Sequence, residues 1–211
     1  MKIKAVLFDM DGVLIDAKDW HYQALNRALN LFGIPISQFD HITTFDGLPT
    51  IEKLKMLTVK TGLPANLHGF INEMKQIYTM EIVHSKCKPT FIHEYALSNL
   101  KAMGYKLAVC SNSVKNTVET MMKRSALEGY LDLTMSNEDV VRGKPDPEMY
   151  VRAMSNLGVG PSECLIIEDN ENGFKAARAA GGHLLAVRDV VEVNLCNILA
   201  KIRDIDSGGC L

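Results

Sequence analysis

Four apolar runs of strand length, at Ile3–Phe8, Tyr105–Cys110, Glu163–Ile167 and Leu184–Val187, constrain this chain more than any other feature. None alternates cleanly between polar and apolar residues, which is the pattern of strands buried on both faces rather than one. A shorter strand is expected near Leu131–Met135. Helical patterns lie between the runs, over about 89–103, 114–125, 147–157 and 173–180, each stopped by glycine or a polar turn. Strands alternating with helices of this length imply βαβ units on a parallel sheet. The regularity breaks once. Residues 17–86 carry helical patterns only: Tyr22, Leu25, Leu29 and Phe32 at helical spacing, then Ile51, Leu54 and Leu57, then about 65–84. The expected organisation is an α/β core of residues 1–16 and 87–211 with an all-helical insertion, 17–86, placed directly after the first strand.

Composition narrows the function classes. The 211 residues are 47% hydrophobic and 23% charged, enough for a sizeable core, with a formal charge of −2 and no lysine or arginine block. Nucleic acid and anionic membranes are therefore not expected partners. The five cysteines (Cys87, Cys110, Cys164, Cys196, Cys210) show no CxxC spacing, and two lie inside apolar runs. Free thiols are expected, as in a cytoplasmic protein. The first apolar run is too short for a signal peptide, and no stretch approaches the ~18 apolar residues of a membrane span. The polar tail from Asp204 to Leu211 is expected to fray.

The chemistry is concentrated where the strands end. Phe8 is followed by Asp9-Met10-Asp11-Gly12, Cys110 by Ser111-Asn112-Ser113, and Ile167 by Glu168-Asp169-Asn170. In open parallel sheets the carboxyl ends of the strands are where ligands bind. Two carboxylates spaced as Asp9 and Asp11 repel unless a cation lies between them, and Mg²⁺ takes such oxygens together with substrate phosphate. Alone, Asp-Gly reads equally well as a turn, and Lys144, in Gly143-Lys144-Pro145-Asp146-Pro147, as a solvated lysine. Taken together the four segments supply what phosphoryl transfer to an aspartate needs. A carboxylate can serve as nucleophile, a second as general acid and base, and a lysine, hydroxyls and amides can stabilise the spreading charge.

These same segments, in order, resemble motifs one to four of the haloacid dehalogenase superfamily, over residues 1 to about 188. The insertion resembles the helical cap of the β-phosphoglucomutase-like and phosphoglycolate-phosphatase-like branch, through His21-Tyr22-Gln23-Ala24-Leu25 and Asp46-Gly47-Leu48-Pro49-Thr50. The resemblance implies a Rossmann-like core and a cap that closes over substrate about hinges near 14–18 and 84–89. It implies Asp9 as nucleophile, Asp11 as general acid and base, and Ser111 and Lys144 as holders of the phosphoryl group. Mg²⁺ would be held by Asp9, the backbone carbonyl of Asp11 and Asp169, with Glu168 adjacent. Asn112 and Gly12 would border the phosphate, and His21 and Thr50 would face substrate from the cap.

Asp11 argues against dehalogenases and phosphonatases of the superfamily, which lack an aspartate there. Mutases of the branch carry a cap arginine for a second phosphate. Here Thr50 aligns with it and no arginine lies between Arg27 and Arg124, although Lys53 or Lys55 could act as a point charge. The expected activity is Mg²⁺-dependent hydrolysis of a small phosphomonoester, such as a sugar phosphate or phosphoglycolate, by a monomer or weak homodimer. A phosphosugar mutase and a non-catalytic phosphometabolite-binding protein are the alternatives.

Overall fold

A computed structural model describes residues 2–45 and 48–208. The Asp46-Gly47 part of the second cap-like segment and Cys210 lie outside the described residues. The chain divides into two compact units, Met1–Asp16 with Lys88–Leu211, and Ala17–Cys87.

The first unit is built on a parallel sheet of β1 (Ala5–Phe8), β2 (Lys106–Cys110), β3 (Leu133–Met135), β4 (Cys164–Glu168) and β5 (His183–Ala186). Their order across the sheet is β3-β2-β1-β4-β5. The first strand in sequence is therefore central, with Phe8 beside Val109 on one side and Ile167 on the other. Every residue of β1 and β4 is buried, as uninterrupted apolar runs require. One face of the sheet packs Ala5, Leu7, Ala108, Cys110 and Ile166 against Met149, Tyr150 and Ala153 of α7 (Glu148–Leu157) and Ala176 and Ala177 of α8 (Glu171–Ala179). Small residues on α8 let it approach the strands closely. The helices α5 (Phe91–Ala102) and α6 (Lys115–Arg124) complete the alternation around β2. Cys110 and Cys164 are buried free thiols, and burial pushes the Cys110 thiol up to about 12.

The second unit holds α1 (Lys18–Asn30), the single turn α2 (Gln38–Asp40), a π-turn at His41–Phe45, α3 (Thr50–Thr61) and α4 (His68–Lys86). Leu25, Ala28, Leu29, Phe45, Leu54, Leu57 and Ile71 form its core. Phe45 is 1% exposed and packs within this core.

One expectation fails. The stretch from Leu195 to Asp206 is a helix, α9, and Asp204 to Asp206 do not fray. Asn194 caps it by accepting from the amide of Asn197, and Ile198, Ile202 and Ile205 form a buried stripe. At its far end the Asp206 carboxylate accepts from the amides of Lys2 and Ile3, at 2.7 and 3.3 Å, so the helix holds the chain's start beside β1. The polar composition of 204–206 concealed this because its partners are backbone amides two hundred residues away. Among the described residues no helix is long and apolar enough to cross a membrane.

Candidate active site

The three strands that end in polar clusters are adjacent, so their ends meet at one edge of the sheet. The Asp9 amide still pairs with the Ile167 carbonyl at 2.9 Å and the Ser111 amide with Met135 at 3.0 Å, which extends the ladder just far enough to fix both residues. The chain then leaves β1 sharply. The Met10 carbonyl accepts from the amides of Leu14 and Ile15, and Gly12 turns the backbone at a φ of +91°, where a side chain would be strained. Asp9 is therefore the last residue held by the ladder, and Asp11 lies on the turn beyond it rather than on a continuing strand.

Lys144 reaches this cluster from the loop before α7, in a turn closed by the Asp146 amide on the Gly143 carbonyl. It is 4% exposed, and its ammonium donates to Asp9 Oδ1 at 2.6 Å, Glu168 Oε1 at 2.6 Å and the Cys110 carbonyl at 2.7 Å. All three ammonium protons are thereby used. Burial works against the charge of Lys144, but the carboxylates of Asp9 and Glu168 hold its pKa above the ordinary lysine value. The bland reading of Lys144 as a solvated surface residue is excluded. For Asp9, burial and then the charge of Glu168 push the pKa well above the usual carboxylate range, with Lys144 pulling the other way.

Carboxylate oxygens of Asp9, Glu168 and Asp169 all lie within 4.8 Å of one another. A single ammonium cannot balance three clustered carboxylates in a buried setting, where each uncompensated charge costs several kcal/mol. This donor set, all oxygen and net negative, fits a hard divalent cation. Asp11 lies on the adjacent turn, its Oδ2 accepting from the Ser113 hydroxyl at 3.1 Å. Ser111 is 1% exposed, and its Oγ accepts from the Ser113 amide at 3.1 Å.

Asn112 binds the backbone of Lys144. Its Nδ2 donates to the Lys144 carbonyl at 3.0 Å and its Oδ1 accepts from the Lys144 amide at 2.9 Å, a two-point hold on the lysine's own backbone. His21 and Thr50 belong to the second unit: Thr50 opens α3, and the Lys75 ammonium lies 3.4 Å from His21 Nδ1. Of the two lysines considered in place of an arginine, Lys53 is 8% exposed, whereas Lys55 pairs with Glu52 on the surface.

Three residues of the site were not singled out from sequence. Tyr150 is fully buried in α7, and its hydroxyl donates to Glu168 Oε1 at 2.5 Å while its ring lies 4.8 Å from the Lys144 ammonium. Gly173 lies in the first turn of α8, where a Cβ would come within 2.0–2.2 Å of the Glu168 carboxyl group. Ser113 is the third. A tyrosine five residues after Pro145 was the only visible hint, because it falls on the buried face of a helix yet needs a partner for its hydroxyl.

At the end of the central β1, carboxylates gather around one lysine, and the chain belongs to the haloacid dehalogenase-like hydrolase family, whose model matches residues 6–187. A phosphorylated carbohydrates phosphatase of Thermotoga maritima is 31% identical over 182 residues, covering 85% of this chain and 82% of that protein. A phosphoglycolate phosphatase of Nitrosospira multiformis is 28% identical over 217 residues, covering 96% and 93%. In fold, the chain is similar to the crystal structure of a β-phosphoglucomutase from Clostridium difficile, with a TM-score of 0.84 and 21% identity over 97% of this chain and 99% of that one.

Proposed function

We propose that this protein is a Mg²⁺-dependent phosphatase that hydrolyses a small phosphomonoester through an aspartyl-phosphate on Asp9. The observation that carries the reading is the buried Lys144 bridging Asp9 and Glu168, with Asp169 beside them and Asp11 on the adjoining turn. Asp9, Asp169 and the Asp11 backbone carbonyl would hold the Mg²⁺, with Glu168 behind them. When bound, the ion offsets the charge of the carboxylates and of the incoming phosphate.

An oxygen of Asp9 attacks phosphorus as the ester P–O bond breaks, and Asp11 gives its proton to the departing alcohol. Water then attacks the same phosphorus, Asp11 takes a proton from it, and Asp9 and inorganic phosphate are released. Lys144 exchanges one of its three present acceptors for a phosphoryl oxygen. Ser111, whose Oγ accepts the Ser113 amide, keeps its O–H to donate to another. Asn112 acts through Lys144, fixing the backbone from which the ammonium is presented. His21 and Thr50 are proposed to recognise the substrate from the helical unit, 17–86, acting as a cap. The relatives named for phosphorylated carbohydrates and phosphoglycolate support a compact anionic substrate.

The absence of arginine between Arg27 and Arg124 favours hydrolysis over mutase chemistry, since no bidentate fork is available there for a second phosphate. The test is phosphate release from a panel of sugar phosphates, phosphoglycolate and nucleotides, with Mg²⁺ or EDTA, and with Asp9→Asn as the blank. Mg²⁺-dependent release that Asp9→Asn abolishes is expected. Isomerised hexose 1-phosphate without free phosphate would establish the mutase instead, and binding without any turnover would leave a non-catalytic protein.

A further inference from the structure

Within Ser111-Asn112-Ser113, it is Ser113 whose side chain touches Asp11. Its hydroxyl donates to Asp11 Oδ2 at 3.1 Å, across 102 positions of sequence. Its backbone is held at both ends. The amide donates to Ser111 Oγ at 3.1 Å, and the carbonyl accepts from the amide of Asn137 at 3.1 Å. Asn137 is itself fixed in a turn capped by Ser136, whose hydroxyl accepts from Glu138 and donates to Asp139. With its backbone held, the serine directs its hydroxyl through side-chain torsions alone.

We propose that Ser113 is the positioning residue that aims Asp11 at the leaving-group oxygen. The proposal rests on Asp11 being the general acid and base. Proton transfer requires a carboxyl oxygen within roughly 2.6–3.2 Å of the oxygen it serves. A carboxylate on a tight turn, free to rotate, spends much of its time outside that range. By binding Oδ2, Ser113 sets the plane of the carboxyl group and with it the direction in which the acid proton is presented from Oδ1. A hydroxyl suits this task because it can donate to Oδ2 both when Asp11 is ionised and when Asp11 is protonated on its other oxygen. The loop after β2 thus sends each of its three side chains to a different component: Ser111 to the phosphoryl group, Asn112 to the Lys144 backbone, Ser113 to the acid.

The consequence is a dependence on leaving group that a merely structural role would not produce. An alkyl phosphate releases an alkoxide that must be protonated as it departs, whereas p-nitrophenyl phosphate releases a stabilised phenolate that need not be. With Mg²⁺ present, kcat/KM would be measured for both substrates in the unaltered protein, Ser113→Ala, Ser113→Thr and Asp11→Asn. General acid help is worth about 10²–10⁴-fold, so misaiming the acid is expected to lower kcat/KM for the alkyl ester by about tenfold. The aryl ester should change less than about twofold, and Ser113→Thr should restore the alkyl rate. Asp11→Asn should show the same selectivity, more strongly.

Equal losses on both substrates in Ser113→Ala, or none, while Asp11→Asn stays selective, would overturn the role of Ser113 and leave the acid assignment standing. Equal losses in Asp11→Asn, or no turnover of either substrate by the unaltered protein, would overturn the acid assignment and this proposal together. If Ser113→Ala does not fold, Ser113→Cys keeps the size with a weaker donor and carries the same comparison.

Discussion

Replacing Gly173 by alanine should destabilise this protein, although the same change in a helix ordinarily stabilises by about 0.5–1 kcal/mol. Gly173 lies within α8, and an added Cβ there would fall 2.0 Å from the Glu168 carboxyl carbon and 2.1 and 2.2 Å from its oxygens. Ordinary contact needs about 3.5–4.0 Å, so the carboxylate must retreat by roughly 1.5 Å. It has nowhere to go: Glu168 is completely buried and gripped by Tyr150 at 2.5 Å and Lys144 at 2.6 Å. A shift of that size carries both bonds beyond hydrogen-bond range, and bonds to charged groups are worth about 1.5–3 kcal/mol each. Setting the helix gain against these losses leaves a net cost of about 2–5 kcal/mol, or roughly 5–15 °C in the melting of the α/β unit. Calorimetry with Gly69→Ala as the control checks this, since nothing lies within 4 Å of a Cβ at that helical glycine. Gly69→Ala should melt slightly higher and Gly173→Ala clearly lower, with Mg²⁺ affinity weakened about tenfold as Glu168 moves. A Gly173→Ala protein at least as stable as the unaltered one would refute the reasoning.

Tyr150→Phe removes one donor from the buried Glu168 carboxylate while keeping the ring, and should cost about 1–3 kcal/mol in EDTA, measured by urea unfolding; a change under ~0.5 kcal/mol would show the hydroxyl to be dispensable. Burial holds the pKa of His93 below its ordinary 6.5, with the Val190 carbonyl, 2.9 Å from Nε2, opposing. The folded protein thus binds this proton less readily than the unfolded chain, so stability is full above about pH 6.5 and falls as pH drops below it, levelling off under the folded pKa. His93→Gln should flatten the slope of unfolding free energy between about pH 7 and 5, and an unchanged slope would exclude the assignment.

Much of the α/β unit was legible because parallel strands buried on both faces announce themselves as unbroken apolar runs, and because their polar ends can be read in a line. Asp9, Glu168 and Asp169 could be nominated that way, whereas Lys144, on a loop, could be nominated only together with them and through the family resemblance. What escaped depends on contacts the sequence does not order. Gly173 looks like any glycine near a helix start until Glu168 is seen against it. Ser113 looks like a turn residue, and its partner lies on another strand's loop. The α9 stripe of Ile198, Ile202 and Ile205 was present in the sequence but overshadowed by the polar residues that follow it. The family resemblance put Asn112 beside the phosphate, and only the fold reveals that its amide also spans the backbone of Lys144.

The place of β1 has a consequence for how the chain must be made. The strand that carries Asp9 is made ahead of the rest of the sheet, and both its neighbours are late: Val109 pairs with Phe8 a hundred residues on, and Ile167 nearly sixty later still. Pairings this remote in sequence close slowly. During synthesis the most apolar strand of the sheet has no partner while the helical unit behind it can already pack its own core. Crowded or rapid production should therefore trap the protein at a stage where Ile3–Phe8 is exposed and sticky, and the yield of soluble enzyme should depend on chaperones that shield that segment until β4 has emerged.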